Sequence, residues 1–292
     1  MLVVKKMDAK ELKEAASFIA QVNQIEEHHI GYCGTDANEI RKSLAEDLTD
    51  VPFTESFVTA YWNEELIGVL GFDVATDDQS AETWGPFVKG YDFRVAQNMW
   101  EHLIESLPNE IQTLAMFPNQ KNTRAIQFAQ ELQFVKKSEQ AILTFHRNDC
   151  CKLKEAKQHK LTEAFEEQMI ELHDRIFPGT YYSGKTIVDR QNEERQVFIL
   201  TEGTRLIGYI YVEAEPEFGE GSIEFFAVDE GERGKGIGEQ LLAIALRWLF
   251  TFPTIEEITL CVNASNDRAI RLYQKVGFRL EHELSYFSKT RL

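Results

Sequence analysis

Residues 232–242 read ERGKGIGEQLL, with Gly234, Gly236 and Gly238 alternating with Lys235 and Ile237 ahead of an apolar run. Glycines this dense at the mouth of a helix let the backbone approach a ligand closely and aim several amide N–H groups at one point, which is the chemistry of anion binding. After the loop, Ile237, Leu241, Ile244, Ala245 and Trp248 recur at helical spacing; before it, residues 223–228 (IEFFAV) are rich in β-branched and aromatic types. The loop is therefore read as a strand-to-helix turn. A Walker loop fails here because Lys235 is followed by Gly236 where Ser or Thr is needed. A GxGxxG fingerprint fails because its third glycine falls on Glu239 or Leu241. What remains is Arg-x-x-Gly-x-Gly, through Arg233, Gly236 and Gly238.

Downstream, residues 257–262 (EITLCV) read as another strand, followed by Asn263 and then by NDRAIRLYQKVGF over residues 266–278. Asn266 suits a helix N-cap, Ala269, Leu272, Tyr273 and Val276 share a face, and Gly277 stands where the helix stops. In this order and at this distance the two motifs resemble those of the GNAT superfamily of N-acetyltransferases. That resemblance implies acetyl-CoA as cosubstrate, lying where two parallel strands splay apart. It places the pantetheine amides on the strand edge at Phe226, Ala227 and Val228, and the pyrophosphate on the backbone of Arg233, Gly234, Lys235, Gly236, Ile237 and Gly238. Tyr273 corresponds to the proton donor to the CoA sulfur; its place beside Ala269 and Val276 also suits a packed core tyrosine. Asn263 and Asn266 are candidates for contact with the pantetheine arm or a bound water. The stretch FPGTYYSG, residues 177–184, falls where the superfamily carries its substrate cover, which makes Tyr181 and Tyr182 the acceptor candidates. Glu224 shares strand parity with Phe226 and Val228 and is the candidate base, taking the amine's proton through water.

The remaining composition limits the partners. The formal net charge is −17, from 48 acidic and 31 basic residues, which argues against nucleic acid and suits a cationic acceptor, although acidic chains are also common for solubility alone. Four cysteines and seven histidines show no metal-ligand spacing, so no metal is expected, and the cysteine usage fits a reducing cytoplasm. No apolar run reaches membrane-spanning length and the first residues lack the apolar centre of a signal peptide. A cytoplasmic enzyme with no membrane partner is expected.

The chain also repeats itself. Residues 122–134 (NTRAIQFAQELQF) match residues 266–278 at a constant shift, 266 − 122 = 144, which also carries Asn119 onto Asn263. Upstream, Leu66, Ile67 and Gly68 match Leu206, Ile207 and Gly208 at a shift of 140, and Val88 then falls on Val228. Two tandem copies of one mixed α/β fold are expected, over residues 1–148 and 149–292. Each is a mostly antiparallel sheet with a splayed parallel pair, flanked by helices. The first copy has only Gly90 opposite the glycine loop, Ala129 opposite Tyr273, Gln133 opposite Gly277 and Pro86 opposite Phe226. It is expected to be degenerate, leaving catalysis to the second. The function expected is transfer of an acetyl group to a primary amine, on a small molecule or a peptide. A non-catalytic acyl-CoA-binding scaffold is the alternative, and a second copy of the chain is a candidate partner.

Overall fold

The computed structural model describes residues 1–157 and 159–291. The chain forms two compact units, Met1–Gln140 with His282–Leu292, and Ala141–Glu281.

Unit 1 begins with β1 (Leu2–Lys6), α1 (Leu12–Asn23), α2 (Ala37–Lys42) and the single turn α3 (Phe53–Ser56). A meander follows, β2 (Phe57–Trp62), β3 (Glu65–Ala75) and β4 (Ser80–Val88). Then come α4 (Phe93–Ile104), β5 (Thr113–Met116), α5 (Thr123–Glu131) and β6 (Val135–His146). The later part of the chain repeats this order without counterparts of β1 and α3: α6 (Glu163–Ile176), α7 (Gly184–Asp189), β7 (Arg195–Glu202), β8 (Arg205–Glu215), β9 (Glu220–Val228), α8 (Ile237–Leu249), β10 (Glu257–Asn263), α9 (Asp267–Val276) and β11 (Arg279–Thr290).

The repeat holds in three dimensions. Gly68 faces Val88 across β3 and β4, and Gly208 faces Val228 across β8 and β9, so the shift of 140 is also a shared strand register. Asn122 accepts from the Ala125 amide at 3.0 Å and Asn266 from the Ala269 amide at 3.1 Å, so both copies start their last helix with the same cap. The stop differs. Gly277 ends α9 at φ +122°, while Gln133 adopts φ +66° at the corresponding place in unit 1, a left-handed conformation that is costly for a residue with a side chain.

The copies in sequence and the units in space do not coincide. β6 starts in unit 1 but belongs to unit 2 from Ala141 onward, and β11 starts in unit 2 but belongs to unit 1 from His282 onward. Phe287 lies opposite Met116 of β5 and is 2% exposed within the unit 1 core, among Leu114, Met116 and Phe128. Leu143 and Phe145 are buried in the unit 2 core with Leu242, Leu246 and Phe278. Each copy in the sequence therefore gives the later part of its final strand to the other unit. The expected boundary near Asn148 does not anticipate this exchange; the units divide at Gln140/Ala141 and again at Glu281/His282.

In unit 2 the site is positioned by two apolar layers on the β7-β8-β9 sheet. α8 packs one face, its Leu241, Leu242, Ile244, Ala245, Leu246 and Leu249 all fully buried, as expected of a helix apolar on almost every side. α6 covers the other face, with Met169, Leu172 and His173 against Tyr209, Tyr211 and Phe225. Burial of each large aliphatic side chain contributes about 1.5–3 kcal/mol, so both walls of the site rest on rigid supports.

Candidate active site

A groove of about 390 Å³ opens in unit 2 between the end of β9, the turn after it, the first turn of α8 and one face of α9. Phe226, Ala227, Val228, Arg233, Gly234, Gly236, Ile237, Gly238 and Asn266 all line it. β9 is the outer strand of its sheet, and among the described residues no strand pairs with its far edge, so backbone groups of β9 face the groove. α8 starts at Gly236, which has φ +83° and no side chain to cap the helix. A Cβ at Gly236 would meet no protein atom within 4 Å, only the open groove. A glycine in left-handed geometry, an uncapped helix N-terminus and a free strand edge thus share one cavity. It is built to take an anion at one end and amides along its length.

The charges on this wall are arranged in pairs. Lys235 bonds Glu232 at 2.8 Å, Arg205 bonds the same carboxylate at 2.5 Å, and these cations hold Glu232 below the usual carboxylate range. Lys154 and Lys275 do the same for Glu239, at 2.5 and 2.7 Å. Lys235 itself does not line the groove, and neither does Asn263, whose side chain accepts from the Ser265 amide in a local turn. Asn266 lines the groove while spending its side-chain oxygen on the cap.

Tyr273 stands behind the groove wall. Its ring meets Phe226 edge-on at 6.2 Å and Phe278 at 5.4 Å, and burial pushes its hydroxyl up to about 12. Among the described residues that hydroxyl has no hydrogen-bond partner, so a packed ring carries an uncommitted proton beside Phe226.

Glu224 is the residue where parity fails. Tyr211 faces Phe225 and Val212 faces Ile223, leaving Glu224 as the extra residue of a β-bulge. Ile223, Phe226 and Val228 pack toward α8, while Phe225 and Ala227 pack toward α6. The bulge turns Glu224 to Tyr181, whose hydroxyl donates to Oε2 at 2.5 Å. Tyr181 lies against Phe225 at 4.9 Å and Tyr182 at 4.7 Å, and burial together with the Glu224 carboxylate raises its hydroxyl pKa. Tyr182 stacks under the Arg190 guanidinium, 4.2 Å from the ring centre. Three residues singled out separately in the sequence, Tyr181, Tyr182 and Glu224, thus form one cluster at the bulge.

Residues 166–278 match the acetyltransferase (GNAT) family. The chain is similar to the spermine/spermidine N(1)-acetyltransferase of Bacillus subtilis, 31% identical over 87 residues; the match takes in 28% of this chain and spans 57% of that relative's length. As a fold it is similar to a GCN5-related N-acetyltransferase from Sphaerobacter thermophilus (TM-score 0.66, 15% identity, 99% of this chain and 95% of the other). It is also similar to a tandem GNAT protein from the clavulanic acid biosynthesis pathway (TM-score 0.59, 13% identity, 99% and 98%). These likenesses extend the GNAT fold over both units.

In unit 1 the chain itself lies along the extension of β5, where β4 and β5 part. β4 and β5 pair in parallel only from Ser80 to Glu82, and beyond them Ile30 forms an antiparallel bridge with Pro118. Gly31 donates to the Phe117 carbonyl at 2.8 Å and Asn119 to the His29 carbonyl at 2.9 Å. Buried Asn23 clamps the inserted segment, accepting from the Ile30 amide at 2.7 Å and donating to the Ile30 and Gly34 carbonyls. The helix N-terminus is taken as well, because Asp92 caps α4 by accepting from the Arg94 amide at 3.0 Å.

Ile176, Glu232, Glu239, Arg268, Ala269, Leu272 and Lys275 also line the groove of unit 2. Ala269 and Leu272 lie on the shared helix face that the sequence predicts, whereas Arg268 and Lys275 carry no role among the sequence-based expectations. Arg268 and Lys275 are seven residues apart, two turns of α9, and that spacing is the signal that places them on one face. Among the described residues no group of three metal-ligating side chains occurs, and no helix is long and apolar enough to cross a membrane.

Proposed function

We propose that unit 2 is an acetyl-CoA-dependent N-acetyltransferase acting on a primary amine, and that unit 1 is non-catalytic. The observation that carries this reading is the joining of the free β9 edge to the uncapped N-terminus of α8 in one groove. The groove fits the cosubstrate: the α8 amides and Arg233 suit the pyrophosphate, and the Phe226–Val228 backbone suits the amides of the pantetheine arm. Acetyl-CoA supplies the activated thioester. Glu224 takes the proton of the attacking amine, either directly or through water. Tyr273 gives its proton to the departing sulfur as the carbon–sulfur bond breaks, which its raised pKa permits throughout the neutral range. Tyr181 and Tyr182 flank the amine.

A cationic amine, the class named for the Bacillus subtilis relative, fits a chain of net charge −17. The test is release of free thiol from acetyl-CoA across a panel of amines, with calorimetric titration of acetyl-CoA alone. Thiol release that depends on the amine is expected. Tight binding without release for any amine selects the non-catalytic alternative.

A further inference from the structure

His173 is fully buried in α6, and the acetyl-transfer chemistry makes no use of it. Its Nε2 lies 2.9 Å from the Tyr182 carbonyl and its Nδ1 lies 2.5 Å from the Tyr209 hydroxyl. The carbonyl can only accept, so Nε2 carries a proton and donates. In the neutral ring Nδ1 is then the acceptor for the Tyr209 hydroxyl. Phe225 meets the ring edge-on at 5.0 Å and Phe177 lies 5.4 Å away, so both bonds are made in an apolar surround.

The segment over residues 177–183 has no helix or strand of its own. Its start is fixed by the Phe177 amide donating to the His173 carbonyl, and its end by Ser183, which caps α7, and by the Gly184 amide donating to Asp174 at 2.7 Å. Between these ends, the backbone bond to the core among the described residues is the one from His173 to Tyr182. Tyr181, the residue next to that bonded carbonyl, is 66% exposed, and its hydroxyl reaches Glu224.

We propose that His173 is a positioning residue for the amine acceptor: by holding Tyr182 from below, it keeps Tyr181 and Tyr182 over Glu224. This rests on the acetyltransferase reading of unit 2. The groove for acetyl-CoA contains neither His173 nor any residue from 177 to 183, so loss of the pin acts on the amine and spares the cosubstrate.

The test uses the full chain with His173→Leu, which removes both bonds, and His173→Gln, which keeps a donor and an acceptor. For the leucine variant the KM for the amine rises about 10- to 100-fold, the expected scale for leaving a buried carbonyl unpaired. Amide hydrogen exchange in residues 178–183 speeds up, acetyl-CoA affinity is unchanged within about twofold, and glutamine restores most of the KM. Unchanged loop exchange and unchanged KM in a folded leucine variant overturn the proposal, as does an equal loss of amine and acetyl-CoA binding. If the leucine variant does not fold, Tyr209→Phe carries the same test, because it frees Nδ1 alone. It should speed loop exchange by a smaller factor, and no change there overturns the proposal. A wild-type chain that neither binds acetyl-CoA nor releases thiol ends the acetyltransferase reading, while the exchange experiment still decides whether His173 holds the loop.

Discussion

The two units present the same cleft in two conditions. In unit 2 the outer edge of β9 is unpaired and α8 begins without a side-chain cap; in unit 1, Ile30 and Gly31 lie along the extension of β5 and Asp92 caps α4. Where unit 2 leaves a strand edge and a helix N-terminus unsatisfied, unit 1 meets the extension of β5 with its own backbone and the helix end with its own carboxylate, and these differences add to the missing glycines in distinguishing the two.

The largest effects test the integrity of each unit. Removing residues 282–292 takes Leu284 and Phe287, both almost fully buried, from unit 1. Losing large core side chains costs about 2–5 kcal/mol each against a total of roughly 5–15 kcal/mol, so the truncated chain should lose the cooperative unfolding of unit 1 in calorimetry. A fragment of residues 149–292 lacks Leu143 and Phe145 and should be unfolded or aggregated by circular dichroism and size-exclusion chromatography. A stable, active fragment would contradict the strand exchange.

Chemistry comes next. Tyr273→Phe keeps the ring against Phe226 and Phe278 and removes only the proton, so turnover should fall about 100- to 10,000-fold with acetyl-CoA affinity nearly intact. Wild-type turnover per folded molecule would make Tyr273 a core residue only.

Binding separates the clefts directly. Gly236→Val puts a branched side chain into the open groove and should weaken acetyl-CoA by roughly 100-fold, about 2.7 kcal/mol. Asp92→Ser keeps a helix cap while removing the carboxylate, and should leave both the affinity and a stoichiometry of one per chain unchanged, because the segment at Ile30 still fills the gap. A second site in the Asp92 variant would mean that the carboxylate alone closes unit 1.

The smallest effect is electrostatic. Burial, with Asp73 nearby, raises the Glu82 carboxyl to about 8, and its Oε1 is buried with no partner. A raised folded-state pKa means that the folded state holds the proton more tightly than the unfolded one. Stability is then fully present below the ordinary carboxylate range, and it falls as pH rises toward about 8. Glu82→Gln should raise the Tm of unit 1 by roughly 5 °C at alkaline pH and by little in acid. Equal shifts at both pH values would show that the carboxyl is not titrating.

The sequence made the local devices legible and left the long-range ones hidden. Gly236, Asn266 and Gly277 announce themselves because turn and cap geometry depend on a few adjacent residues. The internal repeat exposed the duplication through Gly68 and Gly208 because both occupy the same strand register. Parity along β9 was read correctly for Phe226 and Val228 and misplaced Glu224, since one bulged residue reverses every alternation beyond it. The His173 pin joins a helix, a strand and a loop, and no spacing along the chain encodes that. The segment at Ile30 gave no signal either, because a short stretch that pairs with a strand extension need not look like a strand.

The exchange of final strands also sets a timetable for synthesis. Met116 finds its partner in Phe287, which is 287 − 116 = 171 positions later. At cellular elongation rates of about 5–20 residues per second, that separation is roughly 10–30 s during which the free edge of β5 has no strand to meet. An unpaired edge is a template for pairing with another chain. On a crowded ribosome, neighbouring copies would compete for it, and a holding chaperone would have most to protect in this interval.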